Sequence, residues 1–431
     1  MNKSMRYENS TEFLSQVELV IPLGSQTFSK SYTQYPRGVS PLYAKGAKGA
    51  RLWDIDGNEY IDLVNSLAAI TVGYKNRSVE RAVLKQLRRG TIYSLPDKLE
   101  FQVAQKICHL VPGSEMVRFA KNGTDATSAA IRLARAYTSR DHVAVCGYHG
   151  WQDWSIGTTT RNKGVPSQVS SLSHTFQYNN YESLENLFRK FPDQIAAVIM
   201  EPMTGDYPKQ DFLERVQVLT KAKGAVLIFD ETITGFRFSE GGAQQIFNVI
   251  PDLTTLGKGM ANGYPLSAVV GNSVIMKEME EIFFSGTFGG ELLSLAAADA
   301  VLDMHLQGSI VPKLSQVGLE ISNVVQGLIE EHQLKDVLAL KGHPSWKILS
   351  WSDTESYSTN QIKTLFLQEM FEMGVLIIGS HNVSTAIGEK EIRRIRRAYD
   401  HTFSIISKGL RNGDLENYLK VQPAEPLFRV R

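Results

Sequence analysis

Between about residues 97 and 305 the chain alternates short, mostly apolar runs with turns and helical stretches. Val117–Ala120, Val143–Cys146, Ala196–Met200, Ala225–Phe229 and Ser267–Val270 are the runs. They are short enough to be strands apolar on both faces, which predicts a mainly parallel sheet covered by helices. Ala126, Ala129, Ala130, Leu133, Ala134 and Tyr137 recur at helical spacing and give one covering helix its packing stripe. Ahead of this body, residues 1 to about 50 carry Pro22, Pro36 and Pro41 among many Gly, Ser and Thr, and read as an irregular arm. Alternation on both sides of Asp56-Gly57-Asn58 predicts a hairpin, and Val79–Arg89 turns helical. After about 310, Leu314, Val317, Ile321, Val324, Leu328 and Ile329 mark a long helix, and LKDVLALKGHPSWKILSWS reads as strands. Ile392, Ile395, Tyr399, Phe403 and Ile406 mark a last helix whose Arg393, Arg394, Arg396 and Arg397 read as a solvated face, followed by a tail from Gly413. This part predicts a second, smaller α+β domain.

Composition changes little in that picture. The 431 residues are 42% hydrophobic and 21% charged, ordinary for a globular protein with a large core. A net charge of +1 gives no reason to expect nucleic acid or an anionic membrane as partner. Cys108 and Cys146 are too few for a disulfide framework or a metal cluster, and predict reduced thiols in a cytoplasmic protein. No apolar run approaches the roughly 18 residues of a membrane span.

In open parallel sheets, ligands gather at the carboxyl ends of the strands. The residues that follow the apolar runs are chemically useful: Lys121-Asn122-Gly123-Thr124, Gly147-Tyr148-His149, Glu201-Pro202 and Asp230-Glu231. Further on, Lys258 stands between Gly257 and Gly259. An acid on a strand end and a lysine on a glycine-flanked turn suit pyridoxal 5'-phosphate. That cofactor needs a lysine to hold it as an imine and an anion to keep its ring nitrogen protonated. Lys258 and Asp230 are therefore the expected catalytic pair. Asn122, Gly123 and Thr124 open a helix straight after a strand, where unpaired N–H groups and a hydroxyl make an anion site for the phosphate. Read alone, Thr124 is a helix cap with Asp125 favouring the dipole; its position at a strand end beside the other candidates turns the reading to the phosphate. Tyr148 has the flat surface to stack on a pyridine ring, or belongs to the core; His149 reads as orienting. Glu201 is either a partner for a polar group around the cofactor or a solvated strand-end acid.

Other chemistries fail on spacing. The phosphate-loop pattern breaks twice around Lys258, with Asp252 where the first Gly belongs and Gly259 where Ser or Thr belongs. No dinucleotide fingerprint follows the first strand, no nucleophile elbow is present, and no His/Cys set has metal-ligand spacing, so no metal is expected.

The motifs LWDIDGNEYIDL, NGTDATSAAIRLAR, GYHGW, AAVIMEP, LIFDETITGFR and TLGKGMANGYP together resemble class III aminotransferases, near the branch of glutamate-1-semialdehyde 2,1-aminomutase. The resemblance implies an α/β, fold type I PLP-transferase: a large domain with a mainly parallel seven-stranded sheet and a smaller α+β domain. The corresponding division is 1–60 for arm and hairpin packing with the small domain, 61–310 for the cofactor domain and 311–431 for the small domain. It implies Lys258 as the Schiff-base lysine, Asp230 on the pyridine nitrogen, Tyr148 against the ring and Gly123-Thr124 on the phosphate. Thr287, in SGTFGG, is implied to reach the phosphate from the other subunit of a homodimer. Four positions depart from the family pattern. Thr232 stands where a valine is usual, putting a hydroxyl where an apolar side chain would press on the ring. Asp125 replaces a Glu and Asp206 an Asn. Lys30 falls where the aminomutase has an arginine for the substrate carboxylate, and a point charge is not equivalent to a bidentate clamp.

The expected activity is transfer of an amino group between a small amine donor and a small carbonyl acceptor. An internal 2,1-aminomutase is the alternative within that chemistry, and a catalytically silent binding or assembly protein the alternative outside it.

Overall fold

The computed structural model describes residues 6–423; the end of the expected tail, 424–431, lies outside them. The chain divides into two compact units. One combines the residues up to Asn76 with those from Lys313 onward, and the other is Arg77–Pro312.

The Arg77–Pro312 unit holds a seven-stranded sheet. In spatial order its strands are Met116–Ala120, Ser267–Gly271, Leu253–Leu256, Val226–Asp230, Ile195–Met200, His142–Cys146 and Ser173–Thr175. All run the same way except Ser267–Gly271, which is antiparallel to both neighbours. Ile195–Met200 and Val226–Asp230 are buried at every position, as strands covered on both faces must be. The helix Gly123–Thr138 seats Ala129, Ala130, Leu133 and Ala134 on Val143, Ala197, Ile228 and Val269. Phe212, Leu213 and Val216 cover Val198, Leu227 and Phe229 in a second cluster. Each buried Leu, Val, Ile or Phe among them contributes about 2 kcal/mol by leaving water. Tyr137 departs from the expected stripe: it is 47% exposed, one turn beyond the last buried alanine. Two strands carry no clear apolar signal. Ser173–Thr175 is a polar edge strand, and the Leu253–Leu256 strand has threonine at both inner positions.

In the other unit, Arg51–Asp54 and Glu59–Asp62 form the expected hairpin, in a sheet with Ala44–Lys48 and Val375–Leu376. Leu338–Lys341, Trp346–Trp351 and Ser380–Asn382 make an antiparallel sheet. The arm is less irregular than its prolines suggest, because Glu8–Val17 is a helix. Its cap is supplied from the hairpin turn, where Asp56 accepts from the backbone N–H of Asn9 at 2.8 Å and of Ser10 at 3.1 Å. A local reading of the arm cannot contain that signal. The arginine run is also not uniformly solvated: Arg394 pairs with Glu59 at 2.9 Å. Asn65, Ser66, Leu67 and Ala68 form a left-handed turn, with φ of 45, 50, 61 and 67°. L-residues resist this conformation, and here Asp62 accepts from the N–H groups of Val64 and Asn65 while Asn382 donates to the Val64 carbonyl at 2.8 Å. Lys30 reaches the turn, its Nζ donating to Ser66 Oγ at 3.2 Å. Both line an apolar cavity of about 480 Å³. No described helix is long and apolar enough to cross a membrane, and no described group of side chains has a metal-holding arrangement.

Candidate active site

All the residues expected at the site belong to the Arg77–Pro312 unit, and all but Thr287 lie at or just past strand ends. Asp230 ends the Val226–Asp230 strand, and its neighbour Leu253–Leu256 runs parallel to it with Thr255 opposite Asp230. Two residues past that neighbour's end comes Lys258, on a short 3₁₀ turn. It has φ of 41°, a left-handed value for a residue with a side chain. Strain of this kind is held in place by surrounding structure and concentrates at functional positions.

The carboxylate of Asp230 accepts from four donors. His149 Nδ1 bonds Oδ2 at 2.8 Å; Thr232 Oγ1, Thr255 Oγ1 and the Thr232 backbone N–H bond Oδ1 at 2.6, 3.0 and 3.1 Å. His149 also spends its other nitrogen, Nε2, on the Cys146 carbonyl at 3.0 Å. A ring with acceptors at both nitrogens is a double donor, hence an imidazolium. Burial works against that charge, but the bond to Asp230 and the field of Asp230 and Glu201 overcome it, so the His149 pKa stands above its ordinary value. For Asp230 burial pushes the pKa up, and the His149 and Thr232 bonds push it further down, leaving it below the ordinary carboxylate range.

Glu201 is pushed up to about 7, first by burial and then by the charge of Asp230, with His149 and Lys258 pulling the other way. At Lys258 burial lowers the pKa and outweighs Glu201 and Asp230, which raise it; the buried Arg237 adds to the lowering. A lysine so placed is more easily found as the neutral amine that attacks a carbonyl.

At the other end of the group, Asn122 caps the helix Gly123–Thr138, and Asp125 reaches back to the Asn122 N–H at 2.7 Å. That N–H is thereby occupied, and Gly123 and Thr124 are left with the first free donors of the helix. The Thr124 hydroxyl oxygen is buried with no hydrogen-bond partner among the described residues. A side chain on Gly150 would collide with it, so the glycine keeps the space beside Thr124 open. An orphaned hydroxyl at a helix N-terminus, near a half-buried lysine and a hydrogen-bonded carboxylate, fits a phosphate-bearing aldehyde cofactor.

The Thr232 hydroxyl is turned onto Asp230. Its methyl lies against the backbone of Gly123 and Gly257, where Cβ atoms would come within 3.1 and 3.3 Å of it. Tyr148 is within the field of Asp230 and keeps 44% of its surface exposed. Thr287 stands apart: it is exposed and lines a separate cavity of about 360 Å³ with Lys121, Asp125 and Arg132. Asp230, Thr232, Glu201, Lys258, Gly123 and Thr124 are thus gathered into one group within one chain. Thr255 and Arg237 were not foreseen; recognising the Leu253–Leu256 strand would have placed Thr255 opposite Asp230. Glu231, the second acid of the pair, has a structural task. It accepts from the N–H groups of Ala243 and Gln244, both at 2.7 Å, capping the short helix Ala243–Phe247.

The family model for class III aminotransferases matches residues 34–390. The chain belongs to the class III aminotransferases. Like other members it uses pyridoxal 5'-phosphate, and its seven-stranded unit is the PLP-transferase fold. A glutamate-1-semialdehyde 2,1-aminomutase of Syntrophomonas wolfei is 36% identical, over 76% of this chain and 80% of the relative. A 3-aminobutyryl-CoA aminotransferase of Cloacimonas acidaminovorans is 30% identical, over 89% of this chain and 93% of the relative. Among solved structures, the PLP internal aldimine form of the Sphingopyxis sp. MTA144 FumI protein superposes with a TM-score of 0.88 at 25% identity, covering 97% of this chain and 99% of that one. Several aminomutases and an aminotransferase are thus both among the relatives of this class III aminotransferase, and the family assignment leaves the choice between the two activities open.

Proposed function

We propose that the protein moves an amino group between an amine donor and a small carbonyl acceptor, with Lys258 carrying the cofactor as a Schiff base. The observation that carries this reading is the meeting of a lysine of lowered pKa with a multiply bonded, ionised carboxylate, from adjacent strand ends. When bound, the cofactor supplies a conjugated ring that accepts the electron pair left at the substrate α-carbon. The protein supplies the rest. Asp230 would hold the ring nitrogen's proton, and the helix start at Gly123-Thr124, with Asn122 as cap, would receive the phosphate. Tyr148 would lie against the ring, with Glu201 beside Lys258. The free Nζ of Lys258 would take the proton from the substrate α-carbon and deliver it to the cofactor's aldehyde-derived carbon.

Thr287 completes the phosphate site from the second copy of a homodimer. Two features support this: within its own chain Thr287 lies outside the cofactor group, and the adjoining Phe283 and Phe288 are 84% and 59% exposed. Two free cysteines support a cytoplasmic setting.

A second reading, intramolecular 2,1-amino transfer, is favoured by the aminomutase relatives. Against it stands Lys30 in place of an arginine, its Nζ already engaged with Ser66. The deciding experiment loads the protein with the amine form of the cofactor and offers a panel of keto sugars, semialdehydes and keto acids. Return of the lysine-bound absorption with consumption of the acceptor supports intermolecular transfer; isomerisation of glutamate semialdehyde without net acceptor use supports the second reading. Lys258→Ala is expected to abolish both the band and turnover, and an active Lys258→Ala protein would end the proposal.

A further inference from the structure

Asp230 is held by two threonine hydroxyls, and the methyl of one of these threonines also lies against the backbones of Gly123 and Gly257. A carboxylate oxygen offers about two strong acceptor directions. Oδ1 already takes three donors, from the hydroxyl and N–H of Thr232 and the hydroxyl of Thr255, at 2.6, 3.1 and 3.0 Å. Oδ2 takes only His149 Nδ1, at 2.8 Å. The open acceptor direction on this acid therefore belongs to Oδ2.

Thr232 fixes that asymmetry through its own shape. Its Cγ2 methyl fills the gap between the backbones of Gly123, at the start of the phosphate-end helix, and Gly257, next to the lysine. A β-branched side chain has few χ1 choices, so a methyl wedged on one side commits the hydroxyl to the other. Valine supplies the wedge without the donor, and serine the donor without the wedge.

We propose that Thr232 is the positioning residue of the acid: its hydroxyl keeps the Asp230 carboxylate ionised and turned so that Oδ2 is left to receive the cofactor's ring N–H. The charged and titratable groups that face Asp230 are His149 and Lys258, which favour the anion, and Glu201 and Tyr148, which oppose it. All lie on other elements and are untouched by a change at 232. This inference rests on the reading that Asp230 serves the cofactor ring, and the test separates the two.

The holoenzyme and the variants Thr232→Val and Thr232→Ser are titrated with acid while the absorption of the lysine-bound cofactor is followed. A lost donor makes the carboxylate anion less stable, so Asp230 protonates at higher pH. The acid midpoint of Thr232→Val is expected to rise by about one pH unit, a tenfold change in proton affinity. Thr232→Ser is expected to keep the wild-type midpoint while holding the cofactor several-fold more weakly. A valine midpoint equal to wild type, or a serine midpoint shifted as far as valine, overturns the proposal. If the valine protein does not fold, Thr232→Ala, which also lacks the hydroxyl, must show the same rise, and an unmoved alanine midpoint overturns it equally. A wild-type protein that never develops the lysine-bound band would instead defeat the functional reading itself.

Discussion

At the scale of single residues, the site turns on a carboxylate whose charge is maintained by neighbours. Asp230 and Lys258 were legible in the sequence because an acid after an apolar run and a lysine between glycines are local patterns. The dependence of Asp230 on His149, Thr232 and Thr255 was not, since those partners come from three strand ends and depend on side-chain direction. His149 and Asp230 behave as an ion pair, which sets a pH window. The His149 pKa is raised by folding, so its contribution is complete below the ordinary value of 6.5 and fades as pH rises through the folded value. The Asp230 pKa is depressed, so its contribution is complete above the ordinary 3.8 and fades as pH falls through the folded value. Removing one partner of a buried pair costs about 3 kcal/mol. His149→Asn in the cofactor-free protein is therefore expected to lose about that much stability near pH 6, and clearly less at alkaline pH where the wild-type pair has discharged. Denaturant unfolding at several pH values checks this; a penalty constant from pH 5 to 10 would refute the ion pair.

At the scale of elements, the strands with continuous apolar runs were legible, and the two that lacked them were not. Leu253–Leu256 is buried throughout, yet its two threonines hide it from a hydrophobicity pattern. Thr255 turns its hydroxyl onto Asp230, so a partner of the candidate site obscured the strand that carries it. The arm helix was illegible for another reason: its cap comes from Asp56, far along the chain. Asp56→Ala is expected to cost about 1 kcal/mol, the usual loss of a cap. Faster amide exchange confined to the Glu8–Val17 segment and its surroundings would show it, whereas unchanged protection there would mean that packing of Leu14 and Val17 holds the helix unaided.

At the scale of the whole molecule, Thr287 lies outside the cofactor group of its own chain, and the exposed phenylalanines near it are where the proposed second copy would pack. Phe283→Asp with Phe288→Asp is expected to yield a monomer by light scattering that retains the cofactor at least tenfold less well. A monomer that binds it as tightly as wild type would separate Thr287 from the phosphate. The same scale shows what sets the spacing between acid and lysine. Asp230 lies opposite Thr255 in adjacent strands, and the Glu231 N–H bonds the Thr255 carbonyl at 2.9 Å. The distance from acid to amine is therefore dictated by ladder bonds between neighbours, not by the route the chain takes through Ser239–Asp252. A change of length in that excursion that spares Ala243 and Gln244, the partners of Glu231, is expected to reshape the surroundings and leave the separation of acid and amine as it stands.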